Sequence, residues 1–144
     1  MALKDKKISA GQAVEPALAD AIRTRLKDGR LDCISAFVLA KEKGIKPLTA
    51  GEAADSLGIH LGHCQLGLFG FPGQAKAWET SGWKEAKMPK DFEMAVRSAL
   101  GPDGSLSCAS AWAVADRFGV GRAQVGLLAS RLRIKIVGCQ LGAF

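Results

Sequence analysis

The chain has 144 residues, of which 48% are hydrophobic, and this suits a globular protein of one ordinary domain or two small ones. No run approaches the roughly 18 apolar residues that cross a membrane, which argues against a membrane protein. The net charge of +6 favours an anionic partner, with nucleic acid as the first candidate, although many soluble proteins carry a similar excess.

The first residues, 1–14, carry charge but no apolar core, which is not the pattern of a secretory signal. We therefore predict a mobile tail at 1–14 and a cytoplasmic protein. In that compartment the four cysteines are expected to stay reduced.

The sequence repeats itself at an offset of 75 residues. "CQLGLF" at 64–69 returns as "CQLGAF" at 139–144. The match runs without a gap from 28–69 onto 103–144. Two copies are too few for a solenoid, which needs about three. The repeat instead predicts an internal duplication, in which whatever one copy forms is formed twice.

Each copy is short, and a domain of this size is only marginally stable alone. We predict a first domain at 15–70 and a second domain at 91–144, joined by a linker at 71–90. The linker is rich in glycine, proline and lysine. It also contains Trp78 and Trp83, which either pack the linker onto the domains or mark an exposed binding patch.

The second copy shows the predicted order of elements most clearly. Phe92, Val96 and Leu100 recur every four positions and predict a helix that ends at the turn residues 101–104. "SLSC" alternates like a brief strand, and "CASAWAVADRFG" predicts a helix that ends at Gly119. After a tight turn "AQVGLLASRL" predicts another helix, and "RIKIV" predicts a closing strand. The predicted fold class is therefore mainly α with short β strands.

The two central helices have the spacing of a helix-turn-helix. This motif needs a small residue in its first helix, glycine in the turn four positions later, and an apolar residue six positions further on. The residues at these positions are Ala40, Gly44 and Ala50 in the first copy and Ala115, Gly119 and Val125 in the second.

At these residues the chain resembles the winged helix-turn-helix family, and the resemblance covers both copies. It implies two tandem winged-helix-like domains. "GRLDC" and "GSLSC" match the first short strand of the family, and "IHLGHCQLGLF" and "IKIVGCQLGAF" match its closing strands. "HLGH" and "KIVG" leave little room for a two-stranded wing, so we expect the wing to be short or absent.

In this family the helix after the turn enters the major groove of DNA and reads bases with its N-terminal part. The resemblance makes Arg122 and Gln124 candidate base contacts, because arginine pairs with guanine and glutamine with adenine. Three candidate phosphate contacts follow near the helix end: Arg131, Arg133 and Lys135. The opposing interpretation is that these residues are only the solvated face of a surface helix.

The corresponding helix of the first copy contains Glu52 and Asp55 and no basic residue. Its carboxylates would repel phosphate. We therefore predict double-stranded DNA as the partner of the second domain. For the first domain the alternatives are a protein partner, a homodimer contact, or a degenerate half that only holds the second in place. The predicted function is a DNA-binding transcriptional regulator. Two alternatives stay open, a tandem winged-helix interaction adaptor that binds no DNA and a thiol or metal sensor.

The cysteines form two pairs with the same spacing, Cys33 with Cys64 and Cys108 with Cys139. In a winged helix the first and last strands are neighbours, so each pair is expected to lie close together. We predict small buried thiols, with redox sensing or metal binding as the alternative.

The repeated "CQLG.F" segment is predicted to belong to the fold, with Leu66 and Leu141 packed against helices. His60 and His63 lie near Cys64 but lack counterparts in the second copy, so no metal site is predicted. No Ser, His and acid residues follow a catalytic order, and we expect neither a cofactor nor an enzyme.

Overall fold

The computed structural model describes residues 14–69, 76–77 and 88–144. Within these ranges the fold is mainly helical with a few short strands, which confirms the predicted fold class at that level. In chain order the elements are α1 (Pro16–Arg23), β1 (Leu31–Asp32), α2 (Cys33–Lys43), α3 (Pro47–Ser56), β2 (Leu61–Gly62), α4 (Phe92–Ser98), β3 (Leu106–Ser107), α5 (Cys108–Phe118), α6 (Arg122–Arg131) and β4 (Ile136–Val137). Each helix in these ranges is too short to cross a lipid bilayer.

The two halves of the chain have the same order of elements. Every element from β1 to β2 returns between β3 and β4 with bounds 75 residues later. The strand pairing has the same register, since Leu31 lies beside Leu61 and Leu106 lies beside Ile136. The predicted order of helix, strand, helix, turn, helix and strand is present in both halves.

The turn between the two central helices explains the glycine at its predicted position. Gly44 ends α2 and Gly119 ends α5 in the left-handed conformation, with φ of 66° and 65°. The next residue closes each turn, because Ile45 N donates to the Ala40 carbonyl at 3.0 Å and Val120 N donates to the Ala115 carbonyl at 3.1 Å. Glycine adopts this conformation without the steric cost of a Cβ atom.

The core of each half includes the small and apolar residues of the motif, which lie on α2 and α3 in the first half and on α5 and α6 in the second. The residues Ala40, Ala50, Ala115 and Val125 are all at most 1% exposed. The first helix of each half completes the core, because Ile22 of α1 and Phe92 of α4 are fully buried. The Phe92 ring meets Phe118 edge-on with 5.4 Å between centroids, a favourable aromatic arrangement.

The strands of each half pair in parallel, β1 with β2 and β3 with β4. A wing requires an antiparallel hairpin after the second helix of the motif, and the described residues after α3 and α6 contain none. The closing strands have only two residues each, and Gly138 in the left-handed conformation follows β4 directly. The segment that matches the family's closing strands is therefore mostly loop.

The chain divides into two compact units that do not coincide with its two sequence copies. The first unit comprises the described residues of Met1–Cys64 together with Gln140–Phe144, and the second comprises those of Gln65–Cys139. The predicted domains at 15–70 and 91–144 instead keep each "CQLG.F" with its own copy. The predicted tail at 1–14 and the linker at 71–90, with Trp78 and Trp83, fall largely outside the described residues.

We call residues 65–69 and 140–144 the exchange segments. In the first unit Leu141 is 1% exposed, and its backbone lies against α3 at Gly51. A Cβ atom built on Gly51 would lie 1.9 Å from the Leu141 carbonyl oxygen, so the contact requires glycine. A side chain at this position would displace the exchange segment from α3.

The second unit holds the other exchange segment. Leu66 is fully buried, and Leu68 lines a small cavity together with Gly126 and Ala129 of α6. Two hydrogen bonds hold the segment: Ala77 N donates to the Gly67 carbonyl at 3.0 Å and Lys76 Nζ donates to the Leu68 carbonyl at 2.8 Å. The leucines are thus buried as predicted, but in the unit formed mainly by the other copy.

Replacing Gly51 by alanine tests this contact. Because the new methyl group overlaps the Leu141 backbone, we expect the free energy of unfolding to fall by about 1–3 kcal/mol in urea denaturation followed by circular dichroism. Gly101→Ala is the matched control. A Cβ atom there meets its nearest neighbour, Asp103 Oδ1, at 3.4 Å, so we expect a change within about 0.5 kcal/mol. Equal effects of the two substitutions would contradict the contact.

Candidate nucleic-acid interface

Arg122, a predicted base contact, is bound by its own domain. Its guanidinium lies over the Trp112 ring, 3.8 Å from the centroid. Its Nε and Nη2 atoms each lie 3.3 Å from a carboxylate oxygen of Asp116. Since Trp112 and Asp116 lie on α5 and Arg122 begins α6, this contact joins the two helices of the motif. The side chain is 24% exposed.

Gln124, the second predicted base contact, caps the helix that it belongs to. Its side-chain oxygen accepts a hydrogen bond from Gly121 N at 2.9 Å. Gly121 occupies the N-cap position and has no side chain of its own to bind the helix start. Reaching a DNA base would require Arg122 to leave Asp116 and Gln124 to leave Gly121.

Most of α6 is covered on every side. Its buried residues are Ala123, Val125, Gly126, Leu127, Leu128 and Ala129. A helix that enters the major groove presents an exposed row of side chains to the bases. The exposed residues of α6 are instead Ser130 and Arg131 at its C-terminal end.

The three predicted phosphate contacts lie at that same end and are exposed. We call Arg131, Arg133 and Lys135 the basic turn. In the first half the corresponding residues include no arginine or lysine: Ser56, Gly58 and His60. The two halves therefore have the same backbone conformation at this turn, but only the second half has two arginines and a lysine there.

The backbone of the basic turn favours glycine at its centre. Gly58 has a φ of 72°, and Arg133 adopts the same left-handed region with a φ of 58°. A residue with a Cβ atom costs roughly 1–2 kcal/mol in this conformation. The second half thus contains an arginine where the first half has the residue that fits without strain.

One carboxylate faces the basic turn from the neighbouring loop. Hydrogen bonds from the Ser105 hydroxyl at 2.7 Å and the Ser105 N–H at 3.1 Å lower the pKa of Asp103, and the charge of Lys135 lowers this pKa further. Asp103 therefore stays ionised at neutral pH and offsets part of the positive charge of Lys135.

The first unit lacks an equivalent basic surface on α3. Glu52 is exposed and Asp55 is half-buried, as the acidic sequence of this helix implied. Lys46, at the N-cap of α3, is the nearest basic residue before the helix.

His63 of the first unit lies beside a buried carboxylate. Asp32 is 5% exposed, and its carboxylate lies 3.4 Å from His63 Nδ1 and 3.6 Å from Lys27 Nζ. Sequence reasoning missed this pair, because Asp32 lies 31 residues from His63. In the described ranges no three His, Cys, Asp or Glu side chains are placed to hold a metal ion.

Each pair of cysteines follows a pair of parallel strands. Cys33 comes directly after β1, and Cys64 comes two residues after β2. Cys108 and Cys139 have the same positions relative to β3 and β4. Cys33, Cys64 and Cys108 are buried, as predicted, whereas Cys139 is half-buried.

Replacing Arg122 by alanine tests its structural role. Loss of the ring contact and of a partly exposed ion pair is expected to lower the free energy of unfolding by about 1 kcal/mol in urea denaturation. Lys41→Ala is the control, because Lys41 of α2 is exposed at the position that corresponds to Asp116, and its effect is expected within about 0.5 kcal/mol. An Arg122→Ala protein as stable as the control protein would remove the structural role.

Comparison of the chain with models of known protein families, with curated proteins and with solved structures gives no match.

Proposed function

We propose that the protein is a non-enzymatic DNA-binding protein, acting as a transcriptional regulator, that contacts duplex phosphates through the basic turn of its second unit. In this proposal each half is a winged-helix-like domain in which the exchange segment takes the place of the wing. The observation that carries the proposal is Arg133 in a backbone conformation that favours glycine.

Strained backbone positions cluster at functional sites, and Arg133 is one of four non-glycine residues with a positive φ among the described residues, together with Asp28, His63 and Asp91. Arg133 is exposed, and its counterpart Gly58 fits the turn without that strain. Arg131 and Lys135 are exposed on either side of it in sequence. Three basic side chains within five residues suit the regular array of phosphates on a duplex, which arginine and lysine neutralise.

The proposed contact is mainly to phosphates, since Arg122 and Gln124 are bound within their own domain. Phosphate contacts position a protein on DNA but carry little sequence information. Sequence preference therefore depends on whether the start of α6 releases these two side chains on DNA. The overall charge of +6 adds a sequence-independent attraction.

Exchanging the residues of the basic turn for those of the first half tests the proposal. The triple variant R131S/R133G/K135H places Ser, Gly and His in a turn whose backbone already holds them in the first half. Each lost phosphate contact is expected to lower the slope of log K against log salt by about 0.9, so the full variant loses up to about 2.7. Fluorescence anisotropy on labelled duplexes, between low and physiological salt, measures this slope.

The matched control removes the same charge elsewhere. K41Q/K43Q/K46Q also lowers the net charge by three, at exposed residues of the first half. We expect this control to keep most of the wild-type slope. If the two variants lose the same amount of slope, the effect comes from overall charge and not from a defined site, which contradicts the proposal. Absence of salt-dependent binding by the wild type would also overturn it.

Arg133→Gly alone separates stability from binding. Because glycine removes the strain of the left-handed backbone, the free energy of unfolding is expected to rise by about 0.5–1 kcal/mol, while DNA binding weakens. Urea denaturation and anisotropy on the same preparation measure the two effects. If the free energy of unfolding and the DNA affinity both fall, the Arg133 side chain supports the fold, and this result contradicts its assignment as a DNA contact.

A protein-interaction adaptor is the second candidate function, and one observation favours it. Ile34 and Val38 lie four residues apart on α2 and are 42% and 47% exposed. Residues four apart share one face of a helix, so the first unit presents an apolar face that suits a protein partner or a homodimer. Loss of a captured protein partner in I34S/V38S, with DNA binding unchanged, would assign this face to protein contacts.

A further inference from the structure

The two exchange segments occupy related surfaces of the two units. We call the surface of α3 around Leu48 and Gly51 the α3 slot, and it holds residues 140–144. The corresponding surface of α6, around Gly126 and Ala129, holds residues 65–69. Each unit therefore receives its segment from the sequence copy that forms the other unit.

We propose that the α3 slot is a binding site for the Gln-Leu-Gly-x-Phe segment of a second copy of this chain, so that exchange occurs between molecules as well as within one. The site takes a short peptide that forms a turn, with a leucine and a glycine at its centre. Its occupant within one molecule is residues 140–144.

The α3 slot has the features of a peptide site. Leu141 and Ala143 of the bound segment are 1% and 3% exposed. The Leu141 backbone lies against Gly51 at a distance that excludes any side chain there. Gly142, with a φ of 80°, lies against Leu48 so closely that a Cβ atom would be 2.9 Å from Leu48 Cδ1. The backbone contact at Gly51 thus restricts the path of the segment, and Gly142 supplies its left-handed bend.

The slot recognises a sequence that occurs twice in every molecule. The segments read "QLGLF" at 65–69 and "QLGAF" at 140–144, and the slots offer Gly51 with Ala54 and Gly126 with Ala129 at matching positions. Nothing in these contacts depends on whether the segment comes from the same molecule. Protein concentration therefore decides whether the slot binds a segment of its own molecule or a segment of a second molecule.

Within one molecule a tethered segment has an effective concentration in the millimolar range, which favours its own slot. A second copy competes when that segment is displaced or when the protein is concentrated. Reciprocal exchange of residues 140–144 between two molecules gives a closed dimer, because each molecule donates one segment and accepts one.

Two complementary variants test the proposal. The donor, Gly51→Trp, has a blocked α3 slot and an intact segment. The acceptor lacks residues 140–144 and has an open slot. We expect each variant alone to have the monomer mass of about 15.1 kDa, and the mixture to form a 1:1 complex of twice this mass in size-exclusion chromatography with light scattering. The matched control adds Leu141→Asp to the donor, which places a charge in the buried contact and abolishes the complex.

A peptide experiment covers the case in which the acceptor does not fold alone. A labelled peptide of residues 138–144 is titrated onto the Leu141→Asp protein, beside the same peptide carrying Leu141→Asp. We expect saturable binding of the first peptide only, and a rise in Tm or recovery of helical circular dichroism. A mixture that stays monomeric with both proteins folded, or a peptide that neither binds nor restores helicity, overturns the proposal.

Discussion

The absence of a side chain at Gly51 is the constraint on which the first unit depends. It lets the backbone at Leu141 lie directly against α3, and so a segment of the second sequence copy completes the unit formed by the first. In the second unit Leu66 is fully buried, and Leu68 lines a cavity together with Gly126 of α6. Residues of the other sequence copy therefore help to cover α3 in the first unit and α6 in the second.

This arrangement also bears on function. The middle of α6 is covered, and its first turn is occupied by contacts of Arg122 and Gln124 with residues of the same domain. The surface left for a partner is the end of the helix and the turn that follows. The same turn contains no arginine or lysine in the first half, so the two halves differ in basic residues although their backbones repeat.

The sequence was sufficient to predict the elements and the turns. The spacing of Ala115, Gly119 and Val125 reports a local steric requirement, and the structure meets it in both halves. The exchange of segments was not predictable, because Leu66 and Leu141 lie in nearly identical sequences that do not indicate which helix each one packs against. The positions of Arg122 and Gln124 were predicted, but their partners were not. The pairing of Arg122 with Trp112 and Asp116 depends on how α5 and α6 cross, although the spacing of these two residues on one face of α5 was a signal.

The exchanged path of the chain also sets an order of events during synthesis. Residues through Cys64 leave the ribosome well before Gln140–Phe144, which complete the same unit. At typical elongation rates of 5–20 residues per second, the delay is about 4–15 s. During this interval the surface of α3 at Gly51 lacks residues 140–144, which cover it in the complete chain. Neighbouring nascent chains on one messenger therefore present open surfaces to finished segments, and cotranslational assembly has a defined window in time.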